Sequence, residues 1–168
     1  MNKIIVAVII IGQLVVLGCK EKEPQQVQDE KHGNGEQHHA GVQPMSKVVK
    51  TDGIQVAFDL MSLDHHQKMM KMMHTTMKFS DDSNHGLMLT ILEQGTMKPV
   101  KGAEVNITMT EDGSEHPVTK KAMIAEGNGM YHYAADYKIH SRAGCTLSAT
   151  INANGKTYNV KTTFTMNK

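Results

Sequence analysis

Soft metal ligands are concentrated in one short stretch of the chain, DHHQKMMKMMHTTMK, residues 64–78. The 168 residues include 14 Met and 10 His but no Trp, so the enrichment is in sulfur and imidazole and not in large side chains generally. The stretch has no β-branched residue before Thr75 and consists of good helix formers, which predicts about 13–15 residues of helix. Asp64 is a suitable N-cap, with Gln67 three residues on as the reciprocal partner of a capping box. On a wheel of about 100° per residue, His65, Met72, Met69, Met73, His66, Met77, Met70 and His74 share an arc of roughly 200°, and Lys68, Lys71, Thr75 and Lys78 lie opposite.

A helix that only packs against a core needs a stripe of roughly 100°. Packing accounts for Met69, Met72 and Met73, because Met fills irregular gaps. It does not account for His66, Met70, His74 and Met77 on the remaining arc. Two overlapping quartets at i, i+3, i+4, i+7 result, His66-Met69-Met70-Met73 and Met70-Met73-His74-Met77. Neighbours at these spacings are about 5–6 Å apart at Cβ, near enough for two side chains to reach one ion. Thioether is a soft, neutral ligand that selects Cu(I), and imidazole suits copper in either oxidation state. The expected metal ligands are therefore His66, Met69, Met70, Met73, His74 and Met77, and the expected ion is copper, Cu(I) ahead of Cu(II). Because a thioether has no proton to lose, such a site should hold metal at mildly acid pH until its histidines protonate. The competing explanations are Met packing with incidental His, a docking face for a partner, and sacrificial Met oxidation.

Elsewhere the chemistry is sparser. His32, His38 and His39 form a short His-bearing tract of the kind that captures metal or is simply solvated. His85 follows the helical stretch and is a further candidate to complete its site. His132 alternates with Tyr131 and Tyr133, so it is expected on the opposite, exposed side. Cys145 and His140 raise a nucleophile–base pairing, but no third orienting group or oxyanion motif accompanies them, and Cys145 shares the apolar phase of Leu147. Asp81-Asp82 lacks the spacing of a calcium loop. There is no phosphate-binding glycine loop, no His-Glu-x-x-His and no Gly-x-Ser-x-Gly, so no enzyme is expected.

The elements that must position these residues are mostly strands. Ile54, Val56, Phe58 and Leu60 alternate with polar or small residues, and so do Leu87, Leu89 and Ile91, then Val105, Ile107 and Met109. The same holds for Tyr131, Tyr133, Ala135, Tyr137 and Ile139, for Cys145, Leu147, Ala149 and Ile151, and for Tyr158, Val160, Thr162 and Phe164. Asn154-Gly155 is a strong hairpin signal, because a type I′ turn needs positive φ at both positions. Glu111-Asp112-Gly113 and Glu126-Gly127-Asn128-Gly129 mark two more turns, joined by a weaker strand around 116–124. About seven short strands with one inserted helix predict a mostly β fold, an immunoglobulin-like β-sandwich. The domain should span 48–168, because residues 20–47 are poor in aliphatics and read as a tether.

The segment from Lys98 to Phe164 resembles the YtkA-like family of bacterial envelope domains. KPVKGAEVNITM carries the Pro-Val-x-Gly-Ala-x-Val strand entry, and GNGMYHYAADYKIHSRAGCTLSATI carries the Gly-x-Tyr strand and Ala-Gly corner. Cys145 stands where such families have an aromatic residue. The resemblance implies a small immunoglobulin-like sandwich outside the cytoplasm, without catalytic machinery. Copper-handling envelope sandwiches of the CopC-like kind are similar in architecture and Met/His content.

The N-terminal residues fit that compartment. Lys3, then an apolar run from Ile4 to Ile11 and another from Leu14 to Leu17, form a secretory signal too short for a spanning helix. Val16-Leu17-Gly18-Cys19 reads as a lipobox, so residues 1–18 are expected to be removed and Cys19 acylated. Several acyl chains on one cysteine give stable anchoring. With Cys19 lipidated, Cys145 is the only other cysteine and no internal disulfide can form. Lys20 in place of an Asp after the lipidated residue leans towards the outer membrane. The near-neutral net charge of +1 argues against nucleic acid as a partner. Two readings follow: an anchored copper carrier, scavenger or metallochaperone with a copper-transfer partner, or an interaction domain whose Met helix is a lid or docking face. Exposure separates them: Met70, His74 and Met77 converging at an open surface favours the first, and all of them lying in the sandwich core favours the second.

Overall fold

A computed structural model describes residues 44–140 and 144–166. The expected lipobox, the tether histidines His32, His38 and His39, and Cys19 itself lie outside the described residues. Two antiparallel sheets face each other. The first contains β1 (Met45–Thr51), β2 (Ile54–Ser62), β3 (His85–Glu93), β6 (Met123–Gly127) and β7 (Met130–Tyr137), in the order β1-β2-β3-β7-β6. The second contains β4 (Glu104–Glu111), β5 (Val118–Lys121), β8 (Gly144–Ala153) and β9 (Lys156–Thr165), in the order β5-β4-β8-β9. Among the described residues a single helix, α1 (Leu63–Met72), joins β2 to β3. The fold is thus a mostly β sandwich with one inserted helix, as the alternation predicts.

The alternating apolar residues fill the space between the sheets. Val56, Phe58, Leu60, Leu87, Leu89 and Ile91 meet Val105, Ile107, Leu147, Ile151 and Phe164 in one buried cluster. The tyrosines of β7 join this core and find polar partners inside it. Tyr133 donates its hydroxyl to the Val100 carbonyl at 2.9 Å and accepts from the Ala103 amide at 2.8 Å, and Tyr137 donates to the Ile107 carbonyl at 2.9 Å. These bonds tie the sheets together and satisfy the hydroxyls that burial would otherwise orphan. Asn154 (φ 51°) and Gly155 (φ 72°) form the β8–β9 turn with Ala153 opposite Lys156, as the Asn-Gly signal predicts.

Two details differ from the sequence reading. β1 starts at Met45, ahead of the Val48 boundary, and pairs along its length with β2. Its mixed polar pattern hid it, because an edge strand is buried on one side only. The weak strand around 116–124 is two strands, β5 in one sheet and β6 in the other, so nine strands replace seven.

Candidate metal site between the helix and the outer face of the first sheet

The helix is shorter than expected. Ser62 is the N-cap instead of Asp64, with extended φ and ψ and its hydroxyl accepting from the His65 amide at 3.4 Å. Asp64 sits in the first turn, where its charge suits the helix N-terminus. At the other end His74 takes a left-handed conformation (φ 55°), its amide donates to the Lys71 carbonyl and the Thr75 amide donates to the Met70 carbonyl, both at 3.0 Å. That pair of bonds is a Schellman cap, and it ends the helix before Met73. Thr75 and Thr76 are β-branched, and Thr75 hydrogen-bonds the Glu126 carbonyl at 3.0 Å instead of continuing the turn.

This ending splits the predicted ligand set. His66, Met70 and Met73 form an i, i+4, i+7 stripe that is fully buried, with Met69 half-buried beside it. His74 and Met72 face solvent, and Met77 follows the helix in an extended segment, half-buried. The outward-facing quartet Met70-Met73-His74-Met77 therefore does not form. What forms is a second apolar cluster, separate from the sandwich core, in which Met70 and Met73 meet Met61 of β2, Met88 of β3, Ala125 and Ala134, with Met69, Met77 and Phe79 at its edge.

His66 is placed by a glycine. A Cβ at Gly86 would stand 1.8 Å from its Nδ1, so only glycine lets the imidazole lie against β3. Phe79 flanks the ring at 4.9 Å between centroids. Neither ring nitrogen has a hydrogen-bond partner among the described residues, although His66 has no exposed surface. Such orphaned groups are uncommon in proteins, because each forfeits its hydration without replacement.

A second imidazole shares the same face. The side chains of Tyr131, Tyr133 and Tyr137 enter the core, so His132, Ala134 and Asp136 project from the opposite face of β7. The register places Gly86 opposite Asp136 and Met88 opposite Ala134, and the Thr90 hydroxyl bonds His132 Nδ1 at 2.8 Å. Along this face His66 lies over Gly86, His132 lies against Thr90, and Met88 stands midway between. His132 Nε2 is buried and without a partner. With Nδ1–H donating to Thr90, Nε2 presents its lone pair, the arrangement that orients imidazole ligands. The expectation that His132 is exposed is corrected in part: the residue is half-buried, with its Nε2 fully covered and its Nδ1 held by Thr90.

Burial, not charge, disfavours protonation of both rings. Burial lowers the His66 pKa to about 4, with Asp136 opposing the shift and His132 and His65 adding to it. Burial also lowers His132, against the pull of Asp59. Burial alone would raise the Asp136 carboxyl, but hydrogen bonds from Ser83, from the Ser80 amide (3.1 Å) and from Lys120 (3.1 Å) outweigh it and hold Asp136 below the usual carboxylate range. Those bonds also pin the segment that follows the helix. Among the described residues no group of three or more His, Cys, Asp and Glu comes together. A hard-ligand zinc or calcium cage is therefore not built here, and any ion held between the imidazoles would take its remaining ligands from thioether sulfur. Cu(I) fits that donor set.

The other candidates separate. His85 lies at the start of β3, where its Nδ1 contacts the Asn84 side chain at 2.8 Å. His140 pairs with Glu111 at 3.1 Å on the surface. Cys145 is buried in the sandwich core, and burial pushes its thiol up to about 11, with Asp112 and Glu111 adding to the shift, which disfavours the thiolate that a nucleophile needs. Sequence reasoning missed Met61, Met88 and His132. The signal was present as broken alternation: Leu60-Met61, Leu87-Met88-Leu89 and Ala134-Ala135 are apolar on both faces, which means something covers the outer one.

No family model and no curated protein matches the chain, so the YtkA-like resemblance is not confirmed. Solved structures do match. A copper-bound variant of FetP from uropathogenic Escherichia coli strain F11 superposes with a TM-score of 0.58 at 11% identity, covering 74% of this chain and 96% of that one. The copper-reconstituted P19 protein of Campylobacter jejuni gives 0.54 at 10% identity, over 73% and 94%. A DUF4426 family protein of Pseudomonas aeruginosa gives 0.54 at 13%, over 73% and 97%. At these identities the likeness shows a shared fold.

Proposed function

We propose that this protein is an envelope lipoprotein, attached through acylated Cys19 and facing the periplasm, that binds copper as Cu(I) beneath its short helix. It acts as a carrier, scavenger or metallochaperone without a catalytic step, and a copper-transfer protein is its partner. The YtkA-like sequence features belong to the same reading, and Lys20 favours the outer membrane. The observation that carries the proposal is the set of three buried ring nitrogens, both of His66 and Nε2 of His132, without hydrogen-bond partners beside a methionine cluster. A buried imidazole nitrogen without a hydrogen-bond partner costs the fold stability and is suited to ligate a metal. That FetP and P19 share the fold and were solved with copper adds support.

The ligands shift from the helix alone to the helix and sheet together. His66 and His132 supply imidazole, Met88 lies between them, and Met61, Met70 and Met73 are the adjoining thioethers. The packing-lid reading explains Met70 and Met73, which are buried as a lid's would be, but leaves the imidazoles unexplained. The test is competition for Cu(I) against a chromophoric chelator, using the described domain with its flanking residues. Replacing Met88 by Leu and His132 by Gln should each weaken binding by about tenfold or more, the factor for roughly 1.4 kcal/mol of lost ligand interaction. Binding that both variants retain at full strength refutes the site, and no Cu(I) binding by the wild type refutes the function.

A further inference from the structure

His66 has no exposed surface, so an ion cannot reach it directly from solvent. Two thioethers stand outside the covered cluster at one end. Met72, the last helical residue, is 65% exposed, and Met130, the first residue of β7, is 41% exposed. Both sit at the same edge. The Met73 carbonyl rests on Gly127, where a Cβ would approach it to 1.8 Å, and Gly127 pairs directly with Met130. The Asn128 side chain donates to the Met72 carbonyl at 2.5 Å, tying the helix end to the β6–β7 turn. Alternation along β7 places Met130 on the same face as His132, two residues and about 6.6 Å along the strand.

We propose that Met72 and Met130 form an outer sulfur station through which Cu(I) enters and leaves the buried site. This rests on the copper reading above and names the route that reading requires. Met has three rotatable bonds and a polarizable sulfur, so Met130 can carry a bound ion towards His132 Nε2 without movement of the sheet. The exchange is a substitution of one neutral ligand for another at the same ion. Cu(I) leaves the donor or chelator, one thioether bond forms as one donor bond breaks, and neither electron nor proton is transferred. Single exposed apolar residues are ordinary on protein surfaces. These two differ in sharing ligand chemistry and in flanking a buried imidazole along its row.

The experiment uses the double variant Met72→Leu, Met130→Leu, which keeps the size and apolarity of exposed side chains and so leaves the fold intact, as circular dichroism will verify. Cu(I) exchange with a chromophoric chelator is followed by stopped flow, and affinity is measured at equilibrium. The expected result is an equilibrium affinity within about twofold of wild type and exchange about tenfold slower in both directions, the effect of removing one sulfur–copper bond from the exchange transition state. Exchange at the wild-type rate with wild-type affinity overturns the station and leaves the buried site standing. Loss of affinity in parallel with Met88→Leu also overturns it, because the two sulfurs would then belong to the resting site. A wild type that binds no Cu(I) overturns both proposals.

Discussion

Replacing His66 by Leu should make the metal-free protein more stable, and this outcome follows from the geometry alone. A neutral imidazole has one donor and one acceptor nitrogen, and here both are buried without partners. Each buried unsatisfied group costs about 1–3 kcal/mol, and Leu fills a similar volume with no polar atom. The two together cost about 2–6 kcal/mol, so allowing about 1 kcal/mol for imperfect fit, the variant should gain roughly 1–5 kcal/mol at pH 7.5. The gap should widen in acid. The folded pKa of His66 is lowered from 6.5 to about 4, so below 6.5 the unfolded chain takes up a proton that the folded chain does not. That contribution to stability is whole above 6.5 and is lost progressively as pH falls towards 4. Between pH 6.5 and 5 the wild type should lose about 2 kcal/mol through this residue, at about 1.36 kcal/mol per pH unit, and the Leu variant should not. His85 and His132, both lowered by burial, leave some acid slope in the variant. The assay is urea denaturation at pH 7.5 and 5.0 in the presence of a copper chelator. A variant less stable than wild type at pH 7.5, with an undiminished acid slope, would refute the reasoning by showing that the His66 nitrogens are satisfied in solution. Adding Cu(I) should then stabilise the wild type and not the variant, by mass action on the folded state.

Three further outcomes are expected. Gly86→Ala puts a Cβ where His66 Nδ1 lies, 1.8 Å away, so the ring must leave; denaturation should show a loss of about 1–3 kcal/mol and chelator competition a matching fall in Cu(I) affinity. His74→Gly relieves a left-handed non-glycine residue at the helix end and should stabilise by about 1 kcal/mol, with Cu(I) affinity unchanged because His74 faces solvent. Asp136→Asn removes the acceptor that binds Ser80, Ser83 and the partly exposed Lys120; urea melts should show a cost of about 1–3 kcal/mol above pH 5, shrinking as acid protonates the wild-type carboxylate.

The sandwich was legible because alternation has a direct physical cause. A strand with one face in a core and one in water must alternate, and Val56-Phe58-Leu60 or Leu147-Ala149-Ile151 can be read no other way. The Asn154-Gly155 turn was legible for the same kind of local reason. The helix was legible as to existence and incorrect in extent, because its end depends on a cap. Thr75 gives its hydroxyl to Glu126, fifty-one residues away, and no local pattern encodes that bond.

The site divides along the same line. Local sequence was sufficient to mark residues 64–78 as unusual in sulfur and imidazole, and to identify a soft ion as what such donors suit. It overestimated the helix's own share of the ligands, since His74 and Met72 turn outward and Met77 falls beyond the last turn. Met61, Met88 and His132 were left out, because broken alternation such as Leu87-Met88-Leu89 says only that something covers a strand's outer face and not what. Only the tertiary structure brings α1 across β2 and β3 and uses Gly86 to admit an imidazole there, turning a solvent face into an interior. Donor chemistry is a property of residue type and is written in the chain, whereas convergence of donors from four separate elements is set by register and packing.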